Sequence, residues 1–242
     1  FTLLKKIVLP KQIIDMDSLY QFILPQLRGI KSLEAGFNMA ILDWWGQKTN
    51  KTVSSLLDVS RSLIPSTSFT IGISNLNDIG AKIEEAKSYK ILKVKLGTEN
   101  IDKEIITEIR RYTDKLIRVD ANEGWSIDNA LNLSFWLADR NVEFIEQPFP
   151  ANELKNTAIL KKKSPLDIYA DENSINSLNI PIIKDSFDGI NIKLMKCGSL
   201  EEGIKMIFLA KKYKLKIMLG CMVESSVGIT AASQIASLAD KI

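Results

Sequence analysis

From about residue 66 onward, short β-rich runs alternate with amphipathic helical stretches, and this alternation constrains the fold more than any other feature. Seven such runs recur at intervals of roughly 20 to 27 residues. They are SFTIGIS (68–74), ILKVKLG (91–97), KLIRVDAN (115–122), VEFIEQP (142–148), DIYADEN (167–173), GINIKLMK (189–196) and KIMLGCM (216–222). Repeated β-then-α units predict an α/β fold with a parallel sheet covered by helices. Right-handed crossovers make a TIM-type barrel the simplest closed form.

The first 65 residues lack this alternation, and their pattern indicates helices. We predict that residues 1–65 form a separate helical region or cap, and that residues 66–242 form the barrel. A closed barrel of this type has eight strands, whereas seven are predicted. An unclosed barrel would expose strand edges, which natural proteins avoid. Either the eighth strand follows residue 242 or another element covers the gap. We favour the first, and expect the barrel to be incomplete at its C-terminus, with its last strand missing.

Composition excludes several classes of partner. The 242 residues are 45% hydrophobic and 25% charged, with a net charge of +3, which is typical of a soluble globular protein. Lysines are spread along the chain, so we predict no nucleic-acid partner. No apolar stretch approaches the ~20 residues of a membrane span, and none resembles a signal peptide. Whether the chain forms a homo-oligomer is left open.

The absence of histidine restricts the chemistry. It removes Ser-His and Cys-His catalysis and zinc sites with histidine ligands. Any base must then be Lys, Asp, Glu or Tyr, and any metal must be held mainly by oxygen. The two cysteines, Cys197 and Cys221, are too few for a disulfide framework, so we expect a reduced, cytoplasmic protein. We interpret both as small buried residues rather than catalytic thiols.

Charged residues stand at the ends of five consecutive predicted strands. Side chains alternate along a strand, and TIM barrels carry their active sites at the carboxyl ends of their strands. The strand-end residues, in chain order, are Lys93 and Lys95, Asp120, Glu146, Asp171 and Lys193. One such acid could be a loop or helix-capping residue, and one such lysine could extend to the surface. The whole ordered set favours a functional site.

Three of these residues are acids on adjacent strands. Asp120, Glu146 and Asp171 are 26 and 25 residues apart and are expected to converge. Their charges would repel each other unless a cation lay between them. An all-oxygen set suits Mg²⁺, with Mn²⁺ as the alternative. Lys95 and Lys193 come one strand before and one strand after the acids, so the sequence predicts an amine on either side of the metal, each able to act as a base.

The segments KVKLG, RVDANEGW, FIEQP, ADENS and INIKLMKCGS resemble, in this order, the signature of the enolase superfamily, in its muconate-lactonising subgroup. The resemblance extends from AGFNMAILDWWGQ to the end of the chain. Members of this superfamily use a Lys or His base together with Mg²⁺. The lack of histidine argues against the mandelate-racemase branch, whose second base is a histidine. The resemblance also implies that residues 1–65 are the helical C-terminal part of an N-terminal α+β capping domain.

The resemblance further implies a role for each residue. Asp120, Glu146 and Asp171 correspond to the metal ligands. Lys95 and Lys193 correspond to the two acid/base groups, and Lys93 to a positive neighbour of the substrate carboxylate.

Within the subgroup, NIKLMKCGS and GCMVESSVGITAA are most similar to dipeptide epimerases of the L-Ala-D/L-Glu type. This similarity implies an Mg²⁺-dependent isomerase that inverts the α-carbon of the C-terminal residue of a dipeptide. Glu224 corresponds to a family glutamate in the substrate site, and the alternative is that it merely precedes a helix. Ser199 departs from the usual double glycine. The Asp-x-Asp that follows the eighth strand in these epimerases lies outside the given sequence.

Other activities remain open at this point. An o-succinylbenzoate synthase, a muconate cycloisomerase and an N-acylamino-acid racemase of the same superfamily are the alternatives. A non-enzymatic barrel would be expected to lose one of the two lysines or three acids, and all five are present.

Overall fold

Seven parallel strands form one sheet whose spatial order follows the chain order. The computed structural model describes residues 4–60, 63–72, 75–98 and 101–242. The strands are Ser68–Ile71 (β1), Ile91–Lys95 (β2), Leu116–Asp120 (β3), Val142–Glu146 (β4), Asp167–Ala170 (β5), Gly189–Lys193 (β6) and Lys216–Gly220 (β7). Each strand lies within a predicted run and ends a few residues before that run does. Residues 73–74, predicted to end the first strand, lie outside the described residues.

Helices connect the strands and precede them. They are Met16–Ile23 (α1), Lys31–Thr49 (α2), Val53–Leu56 (α3), Ile79–Glu85 (α4), Asp102–Tyr112 (α5), Ile127–Ala138 (α6), Leu154–Lys163 (α7), Ile180–Ile183 (α8), Leu194–Cys197 (α9), Leu200–Lys212 (α10) and Ser226–Ser233 (α11). The described residues also contain four short 3₁₀ helices, which are Leu4–Lys6, Leu24–Leu27, Leu76–Asp78 and Ala236–Leu238. Within the described ranges, no helix combines the length and apolar character needed to cross a membrane.

The sheet curls into a TIM-type barrel, as the sequence predicts. Alternate side chains face outward beneath the helices, and Ile117 and Val119 of β3 are fully buried there. The inner face has its own small cluster, formed by Phe144, Tyr169 and Met218. Phe144 and Tyr169 stack with their ring centroids 4.2 Å apart. The barrel interior is therefore filled by side chains rather than being a pore.

Below this cluster, the barrel interior contains an ionic network. Arg118 Nε donates to Glu143 Oε2 at 2.8 Å, and Lys241 forms a short ion pair with the other oxygen of Glu143. Arg118 also donates to the backbone oxygen of Ile242. Lys241 pairs in parallel with Met218 of β7. The residues after α11 therefore continue along the open side of β7.

The helices before β1 pack partly among themselves. Leu19, Ile23, Leu27 and Ile41 form a cluster separate from the main core. Helix α2 also contacts the barrel, because the Asn38 side chain accepts the Leu200 backbone N–H and donates to Glu201 Oε2. These contacts place α2 against the start of α10.

Candidate metal centre and its lysines

Three strand ends lie side by side at the carboxyl edge of the barrel. Lys95, Asp120 and Glu146 are consecutive register partners across β2, β3 and β4, and each is the last residue of its strand. Asp171 directly follows β5, and Lys193 ends β6. This register places five charged residues from five neighbouring strands around one point.

The three carboxylates meet inside the barrel mouth. One oxygen from each of Asp120, Glu146 and Asp171 lies within 4.8 Å of the other two. The three residues are 0%, 0% and 3% exposed, so water does little to screen their charges. Their convergence, predicted from strand spacing, is confirmed.

Each end of this carboxylate cluster contacts a lysine. Lys95 Nζ lies 2.7 Å from Asp120 Oδ2, and Lys193 Nζ lies 2.6 Å from Asp171 Oδ2. The two ammonium groups thus contact the first and the last acid of the cluster. Lys93 contacts two of the acids, with its Nζ 2.9 Å from Asp120 Oδ2 and 2.6 Å from Glu146 Oε2.

Burial and the neighbouring lysines shift the pKa values of the three acids in opposite directions. Burial favours the neutral carboxyl, but Lys93 and Lys95 outweigh it and lower the pKa of Asp120. At Asp171, burial is likewise outweighed by Lys196 and Lys193, and its pKa falls to about 2. At Glu146, burial dominates, and the charges of Asp120 and Asp171 add to it despite the attraction of Lys93. The pKa of Glu146 is therefore raised.

The donor set fits a hard divalent cation. All three groups offer carboxylate oxygens, which are the ligands that Mg²⁺ prefers, with Mn²⁺ also suited to them. Glu146 is the least favourable carboxylate to ionise, because it is buried between two other acids. A cation close to the cluster would relieve this repulsion directly. Within the described part of the chain, no other group of three acids or cysteines has this arrangement.

Sequence reasoning missed two residues that contact the acids. Asn191 Nδ2 donates to Glu146 Oε1 at 2.7 Å, and Asn191 is fully buried. Lys196 forms a short ion pair with Asp171 Oδ1. Asn191 shares the strand face of Lys193, so alternation could have identified it. Lys196 was assigned to the strand predicted over 189–196, which is wrong at its end, because residues 194–197 form the single-turn helix α9.

Gln147 is a third missed residue. It directly follows Glu146, is fully buried, and has a positive φ of 39°. Its side-chain oxygen accepts the Asp171 backbone N–H at 2.9 Å, and its amide nitrogen donates to Phe149 O and to Asn173 Oδ1. Gln147 therefore ties the end of β4 to the residue that follows β5. A strained backbone held by such contacts is common beside functional groups.

Glu224 lies in the segment between β7 and α11. Its Oε1 accepts the Met222 backbone N–H, and its buried Oε2 has no hydrogen-bond partner among the described residues. The next residue, Ser225, caps α11. The prediction that both cysteines are buried is correct for Cys197 and wrong for Cys221, which is exposed because β7 ends at Gly220.

Comparisons with known proteins agree with this geometry. The chain is 39% identical over 233 residues to an L-Ala-D/L-Glu epimerase of Bacteroides thetaiotaomicron, covering 96% of this chain and 60% of the relative. It is also 39% identical to a hydrophobic dipeptide epimerase of a Flavobacteria bacterium, over 84% of this chain and 60% of the relative. The chain thus spans 60% of the length of these curated relatives.

Solved structures show the same fold. The dipeptide epimerase of Cytophaga hutchinsonii, crystallised with Mg and the dipeptide D-Ala-L-Val, superposes with a TM-score of 0.89 at 26% identity. The superposition covers 98% of this chain and 67% of that one. The profile of the enolase C-terminal domain-like family matches residues 78–242, which is most of the chain. With seven parallel strands and the strand-end acids in the order described, this chain belongs to the enolase C-terminal domain-like family of the enolase superfamily.

Proposed function

We propose that this chain is the barrel part of an Mg²⁺-dependent isomerase that inverts the α-carbon of the C-terminal residue of a dipeptide. The observation that carries the proposal is the buried carboxylate cluster with Lys95 at its Asp120 end and Lys193 at its Asp171 end. The names of the two curated relatives support a small dipeptide as the substrate. Residues 1–65 would belong to a capping domain, which their separate hydrophobic cluster supports.

Asp120, Glu146 and Asp171 would hold the metal through carboxylate oxygens. When bound, Mg²⁺ supplies positive charge that stabilises the negative charge developing on the substrate carboxylate. The burial of all three acids supports this role, since buried charges are paired or bind metals.

Lys95 and Lys193 would move the proton. One lysine, as the neutral amine, accepts the α-proton, and the other, as the ammonium, donates a proton to the opposite face of the same carbon. The first lysine is then protonated and the second is neutral, so the pair is ready for the reverse direction. Their contacts with acids at opposite ends of the cluster support this division.

Lys93 would stabilise the enolate left by proton removal, because its ammonium already bridges two of the acids, Asp120 and Glu146. The pKa of Lys93 is raised, since Glu146 and Asp120 outweigh the effect of its burial. This favours a permanently charged ammonium, which suits stabilisation of an anion better than proton abstraction.

Glu224 would bind the dipeptide at the mouth of the barrel. Its position in the segment after β7, on the carboxyl side of that strand, supports this role. Free cysteines support the cytoplasmic location expected from the sequence.

The test incubates the full-length protein with Mg²⁺ in D₂O and follows α-protons by NMR. The panel contains L-Ala-L-Glu and dipeptides with hydrophobic C-terminal residues. We expect loss of the α-proton signal of the C-terminal residue and growth of the second diastereomer, both abolished by a chelator. No exchange with any dipeptide, together with turnover of a succinylated or muconate substrate, would refute the proposal.

A further inference from the structure

Lys196 contacts the carboxylate cluster, and neither the sequence nor the proposed reaction gives it a part. It lies three residues after Lys193, on the single turn of α9 that follows β6. We propose that Lys196 is a positioning residue, which holds the Asp171 carboxylate in the orientation that the metal centre requires. This inference rests on the proposed function, because it assigns Lys196 to the same centre.

The contacts of Asp171 show how little freedom it has. Its backbone N–H is held by Gln147, and its backbone oxygen accepts a hydrogen bond from Lys196. Lys196 also contacts Oδ1, which leaves only Oδ2 to face Lys193. Two different groups therefore fix the residue, and its remaining oxygen points toward the proposed acid/base lysine.

Lys196 and Lys193 differ in the number of hydrogen bonds that their ammonium groups donate. An ammonium group has three N–H donors. Lys196 Nζ contacts three oxygens, which belong to Asp171 Oδ1, Asp171 O and Asn191 O. Lys193 Nζ makes one hydrogen bond among the described residues, to Asp171 Oδ2. Lys196 is saturated and has no N–H directed at a substrate, whereas Lys193 retains the freedom that proton transfer needs.

Lys196 also reaches a second acid through Asn191. The backbone oxygen of Asn191 accepts a hydrogen bond from Lys196 at 3.2 Å, and its side chain donates to Glu146 at 2.7 Å. One ammonium group thus fixes Asp171 directly and supports the residue that orients Glu146. Groups that orient metal ligands in this way commonly change metal affinity when they are removed.

The chain geometry explains why residue 196 can reach back. Helix α9 makes a single turn, and Gly198 ends it with a φ of +91°. This turn returns the Lys196 side chain toward Asn191 on the strand it has just left. A strand that continued through residue 196, as the sequence predicts, would carry the ammonium away from Asp171.

The test measures Mn²⁺ binding to the full-length protein without any dipeptide, from the EPR signal of free Mn²⁺. Lys196→Met removes the charge and the three donors at similar size, and Lys196→Arg keeps both charge and donors. Lys205→Met, on the exposed side of α10, is the matched control. We expect roughly tenfold weaker Mn²⁺ binding in Lys196→Met, partial recovery in Lys196→Arg, and no change in the control.

The possible outcomes separate the two proposals. Equal or tighter binding in Lys196→Met would overturn the positioning role, because it would mean that the ammonium only opposes the charge of the metal. Weak Mn²⁺ binding by the wild type would overturn both proposals. Tight binding without dipeptide exchange would overturn only the proposed reaction. If circular dichroism shows that Lys196→Met is unfolded, Lys196→Gln, which keeps one amide donor, is measured with the same expectation of weaker binding.

Discussion

Lys95 on β2 and Asp120 on β3 are direct register partners, and their side chains meet with Nζ 2.7 Å from Oδ2. The pair therefore depends on a single rung of the parallel ladder rather than on a flexible loop. Sites built on strands hold their groups more accurately than sites built on loops. At the other end of the cluster, Lys193 and Asp171 form the equivalent contact.

Replacement of either lysine at the ends of the cluster should abolish epimerisation. In Lys95→Ala or Lys193→Ala, one face of the α-carbon loses its proton carrier, so we expect net inversion to fall by at least roughly 10²–10⁴-fold. Exchange of the α-proton with D₂O should persist for one diastereomer only, and the two variants should retain opposite diastereomers. Lys205→Ala is the control. Equal exchange of both diastereomers by either variant would contradict a division between two faces.

Glu146→Gln should weaken metal binding and lower activity. The change removes one negative charge from the cluster while keeping the size of the side chain, so the other two acids must hold the cation alone. We expect activity to depend on a higher Mg²⁺ concentration and to be partly restored by excess Mg²⁺. A titration of initial rate against Mg²⁺ measures this shift. Full activity at trace metal would show that Glu146 is not a ligand.

Glu143, three residues before Glu146 on β4, should make stability depend on pH. Burial alone would raise the pKa of Glu143, but hydrogen bonds from Lys241 and Arg118 outweigh it, and the pKa is lowered from 4.5. Since the folded pKa is below the unfolded one, the stabilisation is complete above about pH 4.5 and is lost as the pH falls through the folded value.

Glu143→Gln isolates this contribution. The variant leaves Arg118, with a side chain only 4% exposed, without its charged partner. We expect a loss of roughly 3 kcal/mol in the free energy of unfolding at pH 7. Thermal unfolding of both proteins should show that the difference shrinks toward pH 3. A difference that is the same at both pH values would mean that the ion pair does not stabilise the barrel.

Gly97→Ala should destabilise the fold beside the site. Gly97 follows β2 with a φ of +103°, and an added Cβ would lie 2.1 Å from the backbone oxygen of Ala121. The backbone strain alone should cost about 1–3 kcal/mol, and the collision adds to it. Gly36→Ala lies within α2, and apart from its own helix backbone and chain neighbours nothing comes within 4 Å of its added Cβ, so it should instead stabilise by up to about 1 kcal/mol. Chemical denaturation of both variants tests the contrast, which fails if Gly97→Ala unfolds like the wild type.

The positions of the strands were predictable because the two-residue alternation of strands differs clearly from the 3.6-residue period of helices. The acids at 120 and 146 stand out because a buried strand face seldom carries unpaired charge, and their convergence needed only a parallel sheet in chain order. The predicted strands extend past the observed strand ends, because the pattern of side chains does not reveal where the backbone hydrogen bonding stops. Residues 171 and 194–197 therefore follow their strands instead of extending them.

The residues that support the acids could not be found in this way. Gln147, Asn191 and Lys196 contact partners between 24 and 45 residues away in the chain, through hydrogen bonds that no local pattern specifies. Lys196 needed the turn of α9, which a strand-like sequence concealed. Such contacts follow from tertiary structure, and sequence alone does not specify them.

The register pairing of the charged last residues of β2, β3 and β4 also affects which strand pairings can form during folding. If the pairing register of one strand shifted by a single residue, its charged last residue would face outward, into the hydrophobic layer between the sheet and the helices. Such a mispaired intermediate would bury a lone ion and be strongly disfavoured. The charged strand ends therefore also specify the register of the sheet, because a misregistered sheet would be less stable than the native one.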